Sequence, residues 1–337
     1  MNTREQITTL LESCGNDYIS GKKLADSLGL TRAAVWKCIN QLSEDGYEIE
    51  SSRLGYRLGQ NSDAISSNSI KSYLGDRADI FDIEVFREIG STNSFLKEKA
   101  ALAQHGGNGE ILKTWHTVIA SAQTAGRGRM GRTFASPGGT GLYLSVLLRP
   151  DTVPGLAVRI TTAAAVAACK AIERCTEEKP MIKWVNDIYI RGKKTCGILT
   201  EASINLETGK LDWAVMGIGF NVYEPLNGFP KELQDIAGPI VTKRSRDLRS
   251  RIAAEFLKEF YILARDPERA EYSEEYKRRS FLLGEKINVL KGDSVIPATV
   301  LDIDSECRLI VRYDDSSTEA LSSGEVSIKP INIRSSS

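Results

Sequence analysis

Histidine is almost missing from this chain: of 337 residues, only His105 and His116 are histidine. The six cysteines, Cys14, Cys38, Cys169, Cys175, Cys196 and Cys307, form no CxxC pair and no regular spacing. Together they leave no ligand pattern for a structural zinc site. Net charge is missing as well. Lysine and arginine number 44, aspartate and glutamate 44, so any nucleic-acid contact must come from a local patch. No apolar run approaches the roughly 20 residues of a membrane helix. The polar start MNTREQITTLLESCG has no signal-peptide stretch. Reduced thiols and a cytoplasmic protein are expected. Internal repeats are lacking, as is a GxxxxGKS or GxxxxGKT phosphate loop. No Ser/His/Asp or Cys/His set offers a covalent nucleophile. What remains is a chain that is 41% apolar and long enough for two or three domains.

Residues 1–62 read as one unit. Ile7, Leu10 and Leu11 fall at helical spacing, and a short second helix carries Leu24, Ala25 and Leu28. Thr31 is a good N-cap for a third helix, TRAAVWKCINQLSED, whose Val35, Ile39 and Leu42 form one apolar stripe. Gly46 is expected to end it. YEIESSRLGYRL then alternates around a turn that includes Gly55, a hairpin signal. Three helices and a hairpin suggest a winged helix-turn-helix. Its candidate DNA-binding residues are Lys22, Lys23, Thr31, Arg32, Ala33, Lys37, Asn40, Gln41 and Arg53, with Arg57 adding charge in the hairpin. Residues 1–60 hold seven basic and eight acidic side chains. DNA binding and a protein-docking or vestigial module are therefore both open.

QNSDAISSNS (60–69) reads as a linker. Beyond it, strands are expected over 82–89, 117–123, 141–149 and 211–222, and helices over 94–104, 156–174 and 243–264. MIKWVNDIYIRGKKTCGILTEA reads as a hairpin turning near Asn186 and Asp187, followed by another strand. From Glu285, KINVL, VIPATVLDI, RLIVRY and VSIKPI are short strands of a small β-barrel. The expected fold class is α+β multidomain: the winged helix-turn-helix over 1–62, a mixed α/β region over 63–283 and the barrel over 284–337.

Three constellations carry chemistry. GRGRMGR (126–132) puts Arg127, Arg129 and Arg132 on a glycine-rich backbone between strands, able to meet carboxylate or phosphate. A merely solvated or nucleic-acid-binding loop is the alternative. KWVND with Lys194 and Gly197 offers lysines for phosphate and a carboxylate for Mg²⁺, although Asn186 and Asp187 also suit a plain turn. GIGFN suits a close approach to a planar ligand, or a strand end.

Together STN, QTAGRGRMGR, KWVNDIYI, KKTCGILTE and GIGFNV resemble biotin–protein ligase. With the N-terminal helix-turn-helix, the resemblance is to the bifunctional bacterial type, ligase and biotin operon repressor in one chain. It spans nearly the whole sequence. It implies a class II synthetase-like central domain and an SH3-like C-terminal barrel. It also implies ATP-dependent adenylation of biotin, then transfer to a lysine of a biotin carboxyl carrier domain. By matching positions, Ser91, Thr92, Asn93 and Gln123 would contact the ureido end of biotin. Arg127, Gly128, Arg129 and Gly197 would line its carboxylate side. Lys194, Arg129 and Lys183 would be catalytic, with Lys194 at the carboxylate–phosphate bridge. Arg132, Phe134, Asn186, Asp187, Gly217 and Asn221 would hold the nucleotide, and Asp187 the metal. Two departures stand out: Val185 replaces a common proline, and Phe134 a common tryptophan. Biotin, ATP and Mg²⁺ are the implied ligands. Operator DNA upstream of biotin genes, the carrier domain and a second copy of the chain, when adenylate is bound, are the implied partners. Membranes are not expected. A lipoate–protein ligase, a ligase whose DNA-binding module no longer represses, and a biotin sensor without ligase activity are the alternatives.

Overall fold

The computed structural model describes residues 3–328 apart from 45–46, 105–111, 151–155, 206, 266–271, 292–293 and 323–324. The N-terminal unit comprises α1 (Thr3–Ser13), α2 (Gly21–Leu28), α3 (Arg32–Glu44) and the hairpin β1 (Ile49–Ser52) and β2 (Gly55–Leu58). Ile7, Leu11, Leu24, Val35, Ile39 and Leu42 form its own buried core. Each such side chain contributes roughly 1.5–3 kcal/mol through burial. The Thr31 hydroxyl accepts from the Ala34 N–H at 3.1 Å, the cap expected of it. Gly46 lies outside the described residues.

The central region runs α4 (Ser67–Leu74), β3 (Asp82–Phe86), α5 (Thr92–Gln104), β4 (His116–Ala120), β5 (Gly141–Leu148) and α6 (Leu156–Cys175). It continues through β6 (Met181–Lys183), β7 (Asp187–Ile190), β8 (Lys193–Ile204), β9 (Leu211–Asn221), α7 (Leu248–Ala264) and α8 (Ser273–Arg279). Seven strands make one sheet in the order β3-β4-β5-β9-β8-β7-β6. The pair β3–β4 is parallel and the rest antiparallel. Strand alternation sends Leu142, Leu144, Val146 and Ile218 into the large core with α6 and α7. Leu147, Val215 and Val118 point the other way, against Leu96 and Ala100 of α5.

The C-terminal strands are β10 (Lys286–Lys291), β11 (Ser294–Ile303), β12 (Leu309–Tyr313), β13 (Thr318–Leu321) and β14 (Glu325–Ile328). They form an antiparallel sheet of order β13-β12-β11-β10-β14. Its apolar residues, Val300 and Val311 among them, run into the central core without a break.

Three expectations shift. The linker is structured: Ser62 and Asp63 are buried and α4 already begins at Ser67. Asp63 accepts from the Arg249 backbone N–H at 3.0 Å and from Arg249 Nε at 3.1 Å, while Tyr223 donates to it at 2.6 Å. This anchor also explains the second shift, because the helix expected from 243 begins at Leu248, beside it. A polar segment with one buried salt bridge is indistinguishable from a linker by composition. Third, β13 went unexpected, since TEAL pairs only with β12 at the edge of its sheet. The last residues of VSIKPI, 329–331, lie outside the described residues.

The N-terminal unit docks through polar contacts. Ser66 Oγ donates to Glu12 at 3.2 Å, Asn68 to Thr9 at 2.9 Å, and Arg246 to the carbonyl of Gly15 at 2.9 Å. Burial pushes the Glu12 carboxyl from 4.5 to about 7, and nearby Asp247 adds to the effect. The folded protein keeps this proton until about pH 7, whereas the unfolded chain releases it near 4.5, so stability falls as pH rises between those values. Glu12→Gln should therefore match the wild type near pH 5 and be the more stable protein at pH 8. Denaturant titrations at both pH values check this, and parallel profiles would contradict it.

Candidate active site

The site begins with a one-residue irregularity. Asp187 pairs with Gly197 and Ile188 with Cys196, but Tyr189 pairs with Lys194. Thr195 is thus an extra residue in β8, buried, with its hydroxyl on the carbonyl of Ile188 at 3.3 Å. Cross-strand partners share a face. The bulge therefore turns Lys194 onto the face of Asp187 and Gly197, where regular pairing would place Thr195. Lys194 Nζ lies 2.6 Å from Asp187 Oδ1. That contact is close in distance but poorly aligned, and the buried oxygen has no hydrogen-bond donor.

Glycines keep the same face bare. An added Cβ on Gly217 would sit 2.0 Å from Asn93 Oδ1, and one on Gly219 would sit 2.5 Å from the Phe134 ring. Helix α5 covers the face only as far as Asn93. Beyond its N-terminus opens a cavity of about 490 Å³, the size of a small-ligand pocket. Phe229, Leu233 and Ile236 close one side of it, and Leu290 and Val326 of the C-terminal sheet another.

The arginine loop forms a lip. It is a hydrogen-bonded hairpin: Arg127 bridges Thr133, Gly128 N–H donates to Arg132 at 2.7 Å, and Phe134 N–H to Gly126 at 3.0 Å. Its tip turns at Met130 and Gly131 with φ of 54° and 72°. Gly131 suits that left-handed turn, whereas Met130 adopts it exposed to solvent. Arg129 donates to Asn186 Oδ1 at 3.0 Å, and Asn186 donates to the carbonyl of Ile198 at 2.9 Å. The KWVND turn is pinned from behind: Trp184 Nε1 donates to the carbonyl of Cys307 at 2.9 Å and Tyr276 to that of Val185 at 3.0 Å.

Ser91, Thr92, Asn93, Gln123, Arg127, Gly128, Arg129, Arg132, Phe134, Lys183, Asn186, Asp187, Lys194, Gly197, Gly217 and Asn221 all line this one cavity. Several also have structural partners of their own. Ser91 caps α5, accepting from Ser94 N–H at 3.4 Å. The Asn93 amide is spent on Ser145, Leu199 and Glu201. Gly217 lies against Asn93, and Gly219 is the glycine beneath Phe134. Ser145 and Glu201 were not anticipated as site residues, because each matters through neighbours distant in sequence. Burial works against the charge of Glu201, but hydrogen bonds from Lys97 and Asn93 and the charge of Arg127 outweigh it and hold its carboxyl below the ordinary range.

In the N-terminal unit, Lys22, Lys23, Thr31, Arg32, Ala33, Lys37 and Arg53 are exposed, with Asn40 and Gln41 half-buried. Trp36, 59% exposed, stands on the same helix face and was overlooked. Arg57 turns inward, donating to Glu50 at 2.8 Å and lying over the Tyr18 ring.

Comparison with known proteins follows the same division. Residues 89–221 match the biotin/lipoate A/B protein ligase family, 3–57 an HTH domain and 282–329 the biotin protein ligase C-terminal domain. The chain is 39% identical over 236 residues to the bifunctional ligase/repressor BirA of Bacillus subtilis, covering 69% of each. It is 30% identical over 252 residues to the biotin–[acetyl-CoA-carboxylase] ligase of Mycobacterium tuberculosis, covering 72% of this chain and 88% of that one. A solved structure of the Aquifex aeolicus biotin protein ligase in complex with biotin and ATP superposes with a TM-score of 0.61 at 27% identity, covering 74% of this chain and 98% of that one.

Gly217→Ala tests the packing at the cavity floor. Its methyl would meet an amide already held by three partners, so a loss of about 1–3 kcal/mol is expected in denaturant unfolding. An unchanged midpoint would mean that Asn93 moves aside freely.

Proposed function

Because the chain belongs to the bifunctional biotin–protein ligase/repressor family, we propose that the cavity beneath residues 126–134 joins biotin to a carrier lysine and that α3 reads operator DNA. The chain is an ATP-dependent biotin ligase and a repressor. A biotin carboxylate oxygen attacks the α-phosphorus of ATP, the bond to the bridging oxygen of pyrophosphate breaks, and biotinyl-5′-adenylate forms. The neutral amine of a carrier-domain lysine then attacks the acyl carbon. An amide forms, AMP leaves, and the amine proton passes to solvent.

Both partners of the first step are anionic, so positive charge at their meeting point lowers the barrier. The single observation that carries this reading is the convergence of Lys194, Arg127, Arg129 and Lys183 on one cavity. In our assignment Lys194 bonds the linkage being made, and Arg129 and Lys183 stabilise the α-phosphate. Thr92, Gln123 and Arg127 face biotin, with Ser91 and Asn93 shaping that end. Asn186, Asn221, Arg132 and Phe134 border the nucleotide.

Asp187 fits Mg²⁺, since its buried Oδ1 makes no aligned hydrogen bond and meets the Lys194 ammonium only as an ion pair. Among the described residues no group of three or more His, Cys, Asp and Glu side chains is arranged to hold a metal, so nucleotide phosphates would complete the coordination. Bound there, the ion would neutralise phosphate charge.

We set the domain limits at 1–62, 63–283 and 284–337, supported by the separate core of the first unit. We assign the protein to the cytoplasm and expect a homodimer once adenylate is bound, its symmetry matched to a palindromic operator. Among the described residues no helix is long and apolar enough to cross a membrane.

Mass analysis of a carrier domain after incubation with the protein, ATP, Mg²⁺ and either biotin or lipoate tests the ligase. A single biotinyl addition is expected, and a lipoyl preference would overturn the assignment. Lys194→Ala should slow adenylation at least about 100-fold, with normal melting because the side chain is 26% exposed. An unaffected rate would remove Lys194 from its role. Arg32→Ala should weaken operator binding about tenfold in gel shifts while adenylation proceeds normally. Equal binding would place the DNA face elsewhere.

A further inference from the structure

One half-buried charge stands behind the cavity and is not among its lining residues. Glu201 lies on β8, on the face of Gly197 and Leu199, with its side chain 18% exposed. Its carboxylate accepts from Lys97 Nζ at 2.6 Å and from Asn93 Nδ2 at 3.1 Å, and an Arg127 guanidinium nitrogen lies 3.4 Å away. Asn93 and Lys97 are neighbours one turn apart on α5, while Arg127 opens the arginine loop. Three elements therefore meet on one carboxylate. The Asn93 amide is engaged at both ends: its oxygen accepts from Ser145, and its two hydrogens go to Leu199 and Glu201.

We propose that Glu201 is a positioning residue for biotin, tethering Arg127 of the loop and Asn93 of the first turn of α5 to β8 before substrate arrives. The inference rests on the biotin-ligase reading of the cavity. Arg127 has a side chain 45% exposed. Left untethered, such a long side chain would sample many rotamers, and ordering them on binding costs affinity. A carboxylate tethers a guanidinium better than an amide does, because it brings the opposite charge to the ion pair. Glu201 also fixes which end of the Asn93 amide faces Ser145, and so the shape of the pocket wall. The tether acts on the binding of the acid and leaves the nucleotide side alone.

Biotin-dependent exchange of pyrophosphate into ATP tests this with the full chain. Glu201→Gln should raise the KM for biotin about tenfold through loss of the ion pair that holds Arg127. Its kcat, its KM for ATP and its melting temperature should stay close to wild type. In an Arg127→Met background the same replacement should change the KM for biotin less than about twofold, as expected of coupled residues. Glu201→Asp, which keeps the charge but shortens its reach, should raise the same KM and serves if the glutamine variant does not fold. An unchanged KM for biotin, or an equal effect with and without Arg127, overturns the proposal. Absence of biotin-dependent exchange in the wild type would instead overturn the reading of the site itself.

Discussion

A single extra residue in β8 decides where the chemistry can happen. Thr195 breaks the pairing with β7, and beyond it every side chain changes face. Regular pairing would place a hydroxyl beside Asp187 and bury an ammonium in the core. With the bulge, the hydroxyl closes on the backbone of β7 and the ammonium reaches the cavity. Burying an unpaired lysine is costly enough that the register is enforced by the charge itself. One local irregularity thus supports both folding and the proposed catalysis.

Around this point the molecule combines a bare floor with a charged rim. The floor is bare because Gly197, Gly217 and Gly219 stand on neighbouring strands in register. The rim is charged because the arginine loop folds back on itself and is held to the KWVND turn through Arg129 and Asn186. That turn rests on the C-terminal sheet through Trp184 and Cys307. The C-terminal sheet is therefore a wall of the site as well as an appendage. On the opposite flank, Arg249 holds Asp63 while donating to the carbonyl of Gly141, where β5 enters the sheet. The junction with the helix-turn-helix is thus wired into the framework of the cavity.

Much of this was legible in the sequence. Helix α3, its Thr31 cap and the strands on either side of the arginine loop follow from periodicity and capping alone. So did the set of residues that line the cavity, because the motifs that carry them are contiguous. What stayed hidden depends on contacts between distant segments. The bulge shows only once β7 and β8 are paired. Asp63 reads as linker until Arg249, distant in the chain, comes to meet it. Glu201 closes the visible motif KKTCGILTE, yet nothing local says that Asn93, Lys97 and Arg127 converge on it. Ser91 and Asn93 show the converse. Their types suit ligand contact and both line the cavity, and the fold also uses the first as a helix cap and the second as a strut.

The central claim is that Lys194, turned inward by the bulge, meets the bond formed between the two anions. A crystal structure with a non-hydrolysable biotinyl-adenylate analogue measures this directly. The account predicts Lys194 Nζ within hydrogen-bond reach of the acyl–phosphate linkage, about 3 Å, having left Asp187. An analogue bound with that linkage out of reach, and Nζ still against Asp187, would contradict it.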